Sequence, residues 1–188
     1  VENAYTVVKA LAEQYPTYYV TGNHEFWSGQ VEEIKENMTA CGAAVLAGAW
    51  EDVTINGQNL RICGVDDPAV GTLEWKTQLT RVGEAADGSR FTILVTHRPE
   101  RVEEYIQYNF DLTVAGHAHG GQWRLPGLIN GLLAPNQGLF PKYAGGLYDL
   151  NGQTMVVSRG LARESTRIPR FFNRPELVIL ELGPEAGV

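Results

Sequence analysis

The spacing of apolar and polar positions sets out a run of alternating helices and strands. Ala4, Val7, Val8, Leu11 and Ala12 fall on one stripe at helical spacing, so the chain opens in a helix that Pro16 closes. Thr17 to Val20 then reads as a short buried strand running into Thr21, Gly22, Asn23 and His24. A second amphipathic helix, Gln30 to Cys41 with Val31, Ile34 and Met38 inward, stops at Gly42, and Ala43 to Leu46 returns as strand. Val53 to Ile55 and Leu60 to Val65 flank Asn56-Gly57, a dipeptide suited to the positive backbone angles of a tight turn, which predicts a β-hairpin. Asp66, Asp67 and Pro68 make a turn, after which Leu73 to Ala85 has helical spacing and ends at Asp87-Gly88.

Phe91 to Val95 is an apolar strand that terminates at Thr96, His97, Arg98 and Pro99. A short helix near Arg101 to Asn109 leads to the strand Leu112 to Ala115, which runs into Gly116, His117, Ala118 and His119. Gly120 to Gly146 is rich in Gly and Pro and lacks periodicity, so it reads as long structured loops. Gly146 to Leu150 and Met155 to Ser158 flank the turn Asn151-Gly152, and Leu177 to Leu182 is expected to close the chain as a strand. The succession predicts an α/β core with antiparallel additions, and 188 residues suit one domain.

Twenty-two acidic against fifteen basic residues leave a net charge of -7, which argues against a long nucleic acid as partner. No run approaches the roughly 18 apolar residues of a membrane-spanning helix. Cys41 and Cys63 lack metal or redox spacing and read as buried thiols.

All four histidines lie just past the end of an apolar strand: His24, His97, and the pair His117 and His119. Ligands gather outside the carboxyl ends of strands in open α/β sheets, so the three strand ends are expected to converge on one site. Neutral imidazole is the commonest transition-metal ligand, and Asn23 adds an amide oxygen suited to a divalent ion. The alternative for Asn23 is a helix N-cap or Asx turn.

In order and spacing, Gly22-Asn23-His24-Glu25, the strand ending in His97, and Gly116-His117-Ala118-His119 resemble the calcineurin-like metallophosphoesterase superfamily. Gly116 to Pro126, Ser158-Arg159-Gly160 and Arg174-Pro175-Glu176 are similar to its bacterial envelope phosphohydrolase branch, and the likeness runs over nearly the whole chain. The resemblance implies a two-sheet sandwich flanked by helices (αββα). It further implies two divalent ions of manganese, iron or zinc, with Asn23, His97 and His117 holding one and His119 the other. A hydroxide bridging the ions would attack phosphorus, and His24 would be the general acid. Arg98, Arg124 and Arg159 are expected to pair with phosphate, since guanidinium matches its geometry. The substrate expected is a small phosphoester, a nucleotide or a lipid-linked phosphate. The resemblance also implies a place at the bacterial cytoplasmic membrane surface or envelope, with peripheral membrane contact. Leu125 to Leu139 and Phe171-Phe172 read either as a lipid-facing rim or as the filling of a loop-covered core.

Two departures qualify the likeness. Ala118 stands where Thr is commoner, and the superfamily's Asp-x-His and Gly-Asp-x-x-Asp motifs do not occur in the sequence. The expectation is therefore that residues 1–188 are the carboxyl-terminal portion of a single domain, partnered by a missing amino-terminal segment of the same protein. Two other functions compete: a non-catalytic scaffold on this fold, as in the retromer subunit, and a one-zinc hydrolase using only His97, His117 and His119.

Overall fold

The computed structural model describes residues 2–125, 127–161 and 169–183, so Pro126 of the motif above lies outside the described residues. The amino-terminal region runs α1 (Glu2–Ala12), β1 (Tyr18–Tyr19), α2 (Asn23–Trp27), α3 (Val31–Ala40) and β2 (Ala44–Val45). The hairpin β3 (Ala49–Ile55) and β4 (Gln58–Gly64) precedes α4 (Thr72–Ala85), β5 (Phe91–Val95), α5 (Val102–Tyr105) and β6 (Leu112–Ala115). The small pair β7 (Leu133–Ala134) and β8 (Gly138–Leu139) interrupts the loops before β9 (Gly146–Asp149) and β10 (Thr154–Val157).

Six strands form one mixed sheet in the order β3-β4-β5-β6-β10-β9. Its four middle strands are parallel, and β3 and β9 close the edges in antiparallel pairings. β1 and β2 form a separate two-stranded parallel sheet. The class is α/β, a mixed sheet flanked by helices, as the alternation of elements predicts. Asn56 and Gly57 both have positive φ, which is why this dipeptide turns β3 back onto β4.

Register places Cys63, Leu94, Thr113 and Met155 side by side on one face of the sheet. Trp75, Leu79 and Val82 of α4, with Tyr105 and Phe110, bury Cys63 and Leu94 there, while Val102, Ala118, Ala134 and Tyr143 pack around Met155 and Val157. The opposite face is less covered, with Ile93, Val95 and Val114 only half-buried. The β1–β2 sheet approaches that face at Gly64, where a Cβ would lie 2.3 Å from Leu46 Cβ and 2.8 Å from Val20 Cγ1. Only glycine permits so close an approach of the two layers.

The apolar stripe on α1 is left partly open: α3 packs against that helix, yet Val7 and Leu11 stay exposed. Two expectations are corrected. The helix expected near Arg101 to Asn109 is a turn of 3-10 helix, Pro99–Arg101, followed by the four-residue α5. Leu177 to Leu182 forms no strand, and Leu177 and Ile179 are mostly exposed, so an apolar run with good β-propensity finds no sheet edge among the described residues.

The two thiols also part company, since Cys63 is buried and Cys41 only half-buried. Burial pushes the Cys63 thiol up to about 12. In a disulfide-exchange assay at about pH 8, Cys41 is expected to react in the native protein and Cys63 only after unfolding. Equal reactivity of both would contradict the packing of Cys63 beneath α4.

Candidate metal centre

The site is assembled where the parallel strands end. β5 and β6 are neighbours, with Val95 opposite Val114, so His97 and His117 leave adjacent strands in the same direction. The Gly116 N–H donates to the His97 carbonyl at 3.2 Å, which carries the pairing past the strand ends. His117 then takes φ 60 and His119 φ 50, a left-handed conformation that histidine tolerates better than branched residues. Asn23 comes from the other sheet: β1 ends, Thr21 and Gly22 follow, and α2 begins at Asn23.

These three side chains meet. His97 Nε2 lies 3.0 Å from Asn23 Oδ1 and 3.1 Å from His117 Nδ1. Gly22, not Asn23, is the cap of α2, and its N–H donates to the Glu25 carboxylate at 2.8 Å. The amide of Asn23 is thereby left to face His97, which decides against the N-cap reading. A Cβ on Gly22 would stand 2.9 Å from His97 Cε1, so the imidazole is packed directly on the backbone of this turn.

Around the cluster runs a ring of buried polar groups that sequence reasoning took for a simple turn. Asp66 accepts from Thr21 Oγ1 at 2.8 Å, Lys35 Nζ at 2.9 Å and Gln78 Nε2 at 3.1 Å. Asp67 grips Arg98 with both oxygens, at 2.5 Å from Nε and 2.9 Å from Nη2, and caps the turn Pro68–Val70 through Ala69 N. Arg98 reaches on to Asn136 Oδ1 at 2.5 Å and Glu100 Oε1 at 3.4 Å. His117 Nε2 lies 2.8 Å from that same Asn136 oxygen. Neither Asp66 nor Asp67 is left over for a ligand, and Asn136, on a featureless loop, carried no sequence signal at all.

Burial keeps the imidazoles neutral. Desolvation, reinforced by His117, pushes His97 down to about 3. Burial is also the main cause of the downward shift at His117, with the Arg98 charge adding to it. His119 falls to about 4 through burial, then through Arg170, His117 and His24. Neutral imidazole is the form that binds a metal ion.

The fit to a metal can be judged from donor chemistry and spacing. Ligands held at about 2.0–2.2 Å from one ion lie about 3 Å from each other. Asn23 Oδ1, His97 Nε2 and His117 Nδ1 have that spacing through His97. Among the described residues no group of three His, Cys, Asp or Glu is so placed; the convergent set is two imidazoles and one amide. It fits part of a coordination shell.

The other expected site residues are arranged around this set. His119 lies on the same turn, half-buried, with its carbonyl bonded to Asn173 Nδ2 at 2.6 Å. His24 is exposed on α2, its ring 5.3 Å from that of Trp27. Arg98 is not a free phosphate ligand, because Asp67, Glu100 and Asn136 already engage its guanidinium. Arg159 is ion-paired with Glu176, and Arg124 donates to Asn130 Oδ1 at 2.5 Å. Arg170, which sequence reasoning passed over, donates to the Arg159 carbonyl at 2.7 Å, while its Nε and Nη1 are buried with no partner among the described residues. Beside it Trp123, Phe171 and Phe172 form an exposed aromatic group, with ring centroids 6.1 Å and 4.9 Å apart.

Comparison with known proteins adds relatives. The chain is 29% identical over 165 residues to YkuE of Bacillus subtilis, an uncharacterized metallophosphoesterase, covering 87% of this chain and 54% of that protein. It is 31% identical over 175 residues to an uncharacterized metallophosphoesterase of Campylobacter jejuni, covering 89% and 42%. It is 28% identical over 178 residues to the phosphodiesterase YaeI of Escherichia coli, covering 94% and 62%. The chain thus spans about half the length of the curated relatives it matches. No protein-family model and no solved structure matches it.

The Asp67–Arg98 pair gives a stability test. Asp67→Ala leaves a buried guanidinium with only its long 3.4 Å contact to Glu100 as a counter-charge among the described residues, and is expected to cost about 3–5 kcal/mol in urea unfolding. Adding Arg98→Met should restore part of that loss, since the unpaired charge is then gone. Loss below about 1 kcal/mol would show that Arg98 reaches water.

Proposed function

The chain belongs to the calcineurin-like metallophosphoesterase superfamily, and from that premise we propose that it acts as a metal-dependent phosphoester hydrolase whose metal is held by Asn23, His97 and His117. The observation that supports this most is the meeting of Asn23 Oδ1, His97 Nε2 and His117 Nδ1 within 3.0 and 3.1 Å contacts. A divalent ion held by these residues would supply Lewis acidity toward phosphoryl oxygens and lower the pKa of a bound water. The finer reading, with a second ion at His119, rests on the resemblance.

The chain's own residues account for the rest. Gly22 and the left-handed turn at His117 hold the ligating atoms in place before any ligand arrives. Arg170 has two donors with no partner among the described residues, near His119, and Arg124 adds a second cation. Both can face the equatorial oxygens of a phosphoryl group, where negative charge spreads during in-line attack. His24, exposed and next in sequence to Asn23, passes a proton to the leaving oxygen. Trp123, Phe171 and Phe172 offer an exposed apolar rim, which suits a lipid-linked phosphate and a peripheral contact with the membrane of the bacterial envelope. Inclusion of Asn23 in the cluster favours this reading over a zinc site made of three histidines.

The test is to load the purified chain with manganese, count bound ions by mass spectrometry, and follow hydrolysis of bis(4-nitrophenyl) phosphate. His97→Ala, His117→Ala and Asn23→Ala should each lose both metal and activity. Metal binding without hydrolysis of any ester would favour the scaffold, and metal retained in Asn23→Ala would favour the three-histidine site. His24→Gln is expected to keep its metal while kcat on an ester with a poor leaving group falls by about 10²–10⁴. Arg170→Ala should raise KM while lowering stability by no more than about 1 kcal/mol, because it removes one hydrogen bond, to the Arg159 carbonyl, and two donors with no partner among the described residues. A clear loss of stability would instead make Arg170 a structural residue.

A further inference from the structure

Asn136 lies in the turn between β7 and β8, 19 residues from His117, and its side-chain oxygen is the meeting point of two donors. Arg98 Nη1 lies 2.5 Å from Asn136 Oδ1, and His117 Nε2 lies 2.8 Å from it. The amide orientation is fixed by chemistry. Turned over, the amide would set an NH₂ group against a guanidinium NH₂ at 2.5 Å, donor on donor, and arginine cannot give up its proton. The oxygen must face Arg98.

The protons on Arg98 then decide the tautomer of His117. Nη1 carries two hydrogens, and it has two oxygen acceptors: Asn136 Oδ1 at 2.5 Å and Glu100 Oε1 at 3.4 Å. Nη1 also approaches His117 Nε2, at 3.0 Å, but that contact is longer than the 2.8 Å from Nε2 to the Asn136 oxygen, and a hydrogen turned to Nε2 would have to leave Asn136 or the Glu100 carboxylate. An imidazole nitrogen facing the Asn136 oxygen at 2.8 Å must itself bring the proton. A neutral imidazole has only one, so Nδ1 is bare, and Nδ1 is the atom that faces His97 Nε2 at 3.1 Å.

We propose that Asn136 is a positioning residue that fixes His117 as the Nε2–H tautomer, leaving Nδ1 as the lone pair that faces His97 and Asn23. Metal-ligating imidazoles characteristically donate their outer N–H to an acceptor, which sets both tautomer and ring orientation. Here the acceptor is an amide oxygen, itself oriented by Arg98 and, behind Arg98, by both oxygens of Asp67. Without the Asn136 oxygen, the donor facing Nε2 is Arg98, which would reverse the tautomer and point Nδ1–H into the cluster. The purpose of this arrangement rests on the metal reading above, whereas the tautomer does not.

The experiment separates the two. Long-range proton–nitrogen correlation spectra of nitrogen-15-labelled, metal-free protein at about pH 7.5, above the ordinary imidazole range, report which nitrogen of each histidine is protonated. His117→Gln identifies the His117 signals. Wild type is expected to show His117 protonated at Nε2, Asn136→Ala to move toward Nδ1–H, and Asn136→Asp to keep Nε2–H. In calorimetric titrations with manganese or zinc, Asn136→Ala should bind about 10–100-fold more weakly and Asn136→Asp should recover most of the affinity. A wild-type His117 protonated at Nδ1, or an unchanged tautomer in Asn136→Ala, overturns the proposal. If Asn136→Ala fails to fold, the wild-type and Asn136→Asp spectra decide it. An Asn136-dependent tautomer in a wild-type protein that binds neither metal upholds the positioning role and overturns the metal reading.

Discussion

The buried ion pair of Asp67 with Arg98 is the interaction on which the site depends. Asp67 follows β4, Arg98 follows β5, and their two-point contact ties the ends of adjacent parallel strands together. Such a pair gains little over a well-packed apolar contact, because removing two charges from water offsets most of the attraction. Its value is in direction. A guanidinium fork held by both oxygens of a carboxylate has one orientation, and from it Arg98 reaches Asn136, which faces His117. Asp66, one residue earlier, does the same for the other layer through Thr21 and Lys35. Two consecutive carboxylates thus set the relative placement of β1, α3 and the central strands, and so bring Asn23 to His97.

Holding three imidazoles away from water has a consequence for what the centre can be. Each is kept neutral by burial, and two of them touch, an arrangement that would repel itself if either gained a proton. His97 Nε2 stands 3.0 Å from Asn23 Oδ1 and 3.1 Å from His117 Nδ1, about the spacing of neighbouring ligands on one ion. The left-handed turns at His117 and His119 add conformational strain that regular strand would avoid. Strain, desolvation and convergence fall on the same few residues, the usual mark of a site shaped for binding rather than for stability.

Much of this was legible from residue order, and the limits were physical. Asn56-Gly57 announced its hairpin because a turn needs positive φ where these residues allow it, and the strand-end histidines announced their convergence because parallel strands all point one way. Asp66 and Asp67 read as turn formers because nothing local distinguishes a capping carboxylate from a buried ion-pair partner 31 residues from its arginine. Asn136 and Arg170 gave no signal, since their contacts form only when distant loops close over the strand ends. Leu177 to Leu182 misled for the opposite reason: its β-propensity is real, but a strand also needs an edge to pair with. Local pattern carries elements and directions, and it does not carry partners.

The charge balance makes the same point about scale. The chain bears a net charge of -7, which would seem to disfavour an anionic ligand. Yet Arg98, Arg124, Arg159 and Arg170 all lie on the strand-end side, where among the described residues Asp67, Glu100 and Glu176 are their acidic partners in ion pairs. Arg124 and Arg170 are depressed from the ordinary arginine range first by burial and then by Arg159, so cations are packed close enough to repel one another. A field of that kind is local, because water and salt screen the acidic groups beyond about 8–10 Å while the cluster acts at contact range. The field that an anion would meet at this end of the sheet is therefore set by two half-buried guanidinium groups and not by the sum over the chain.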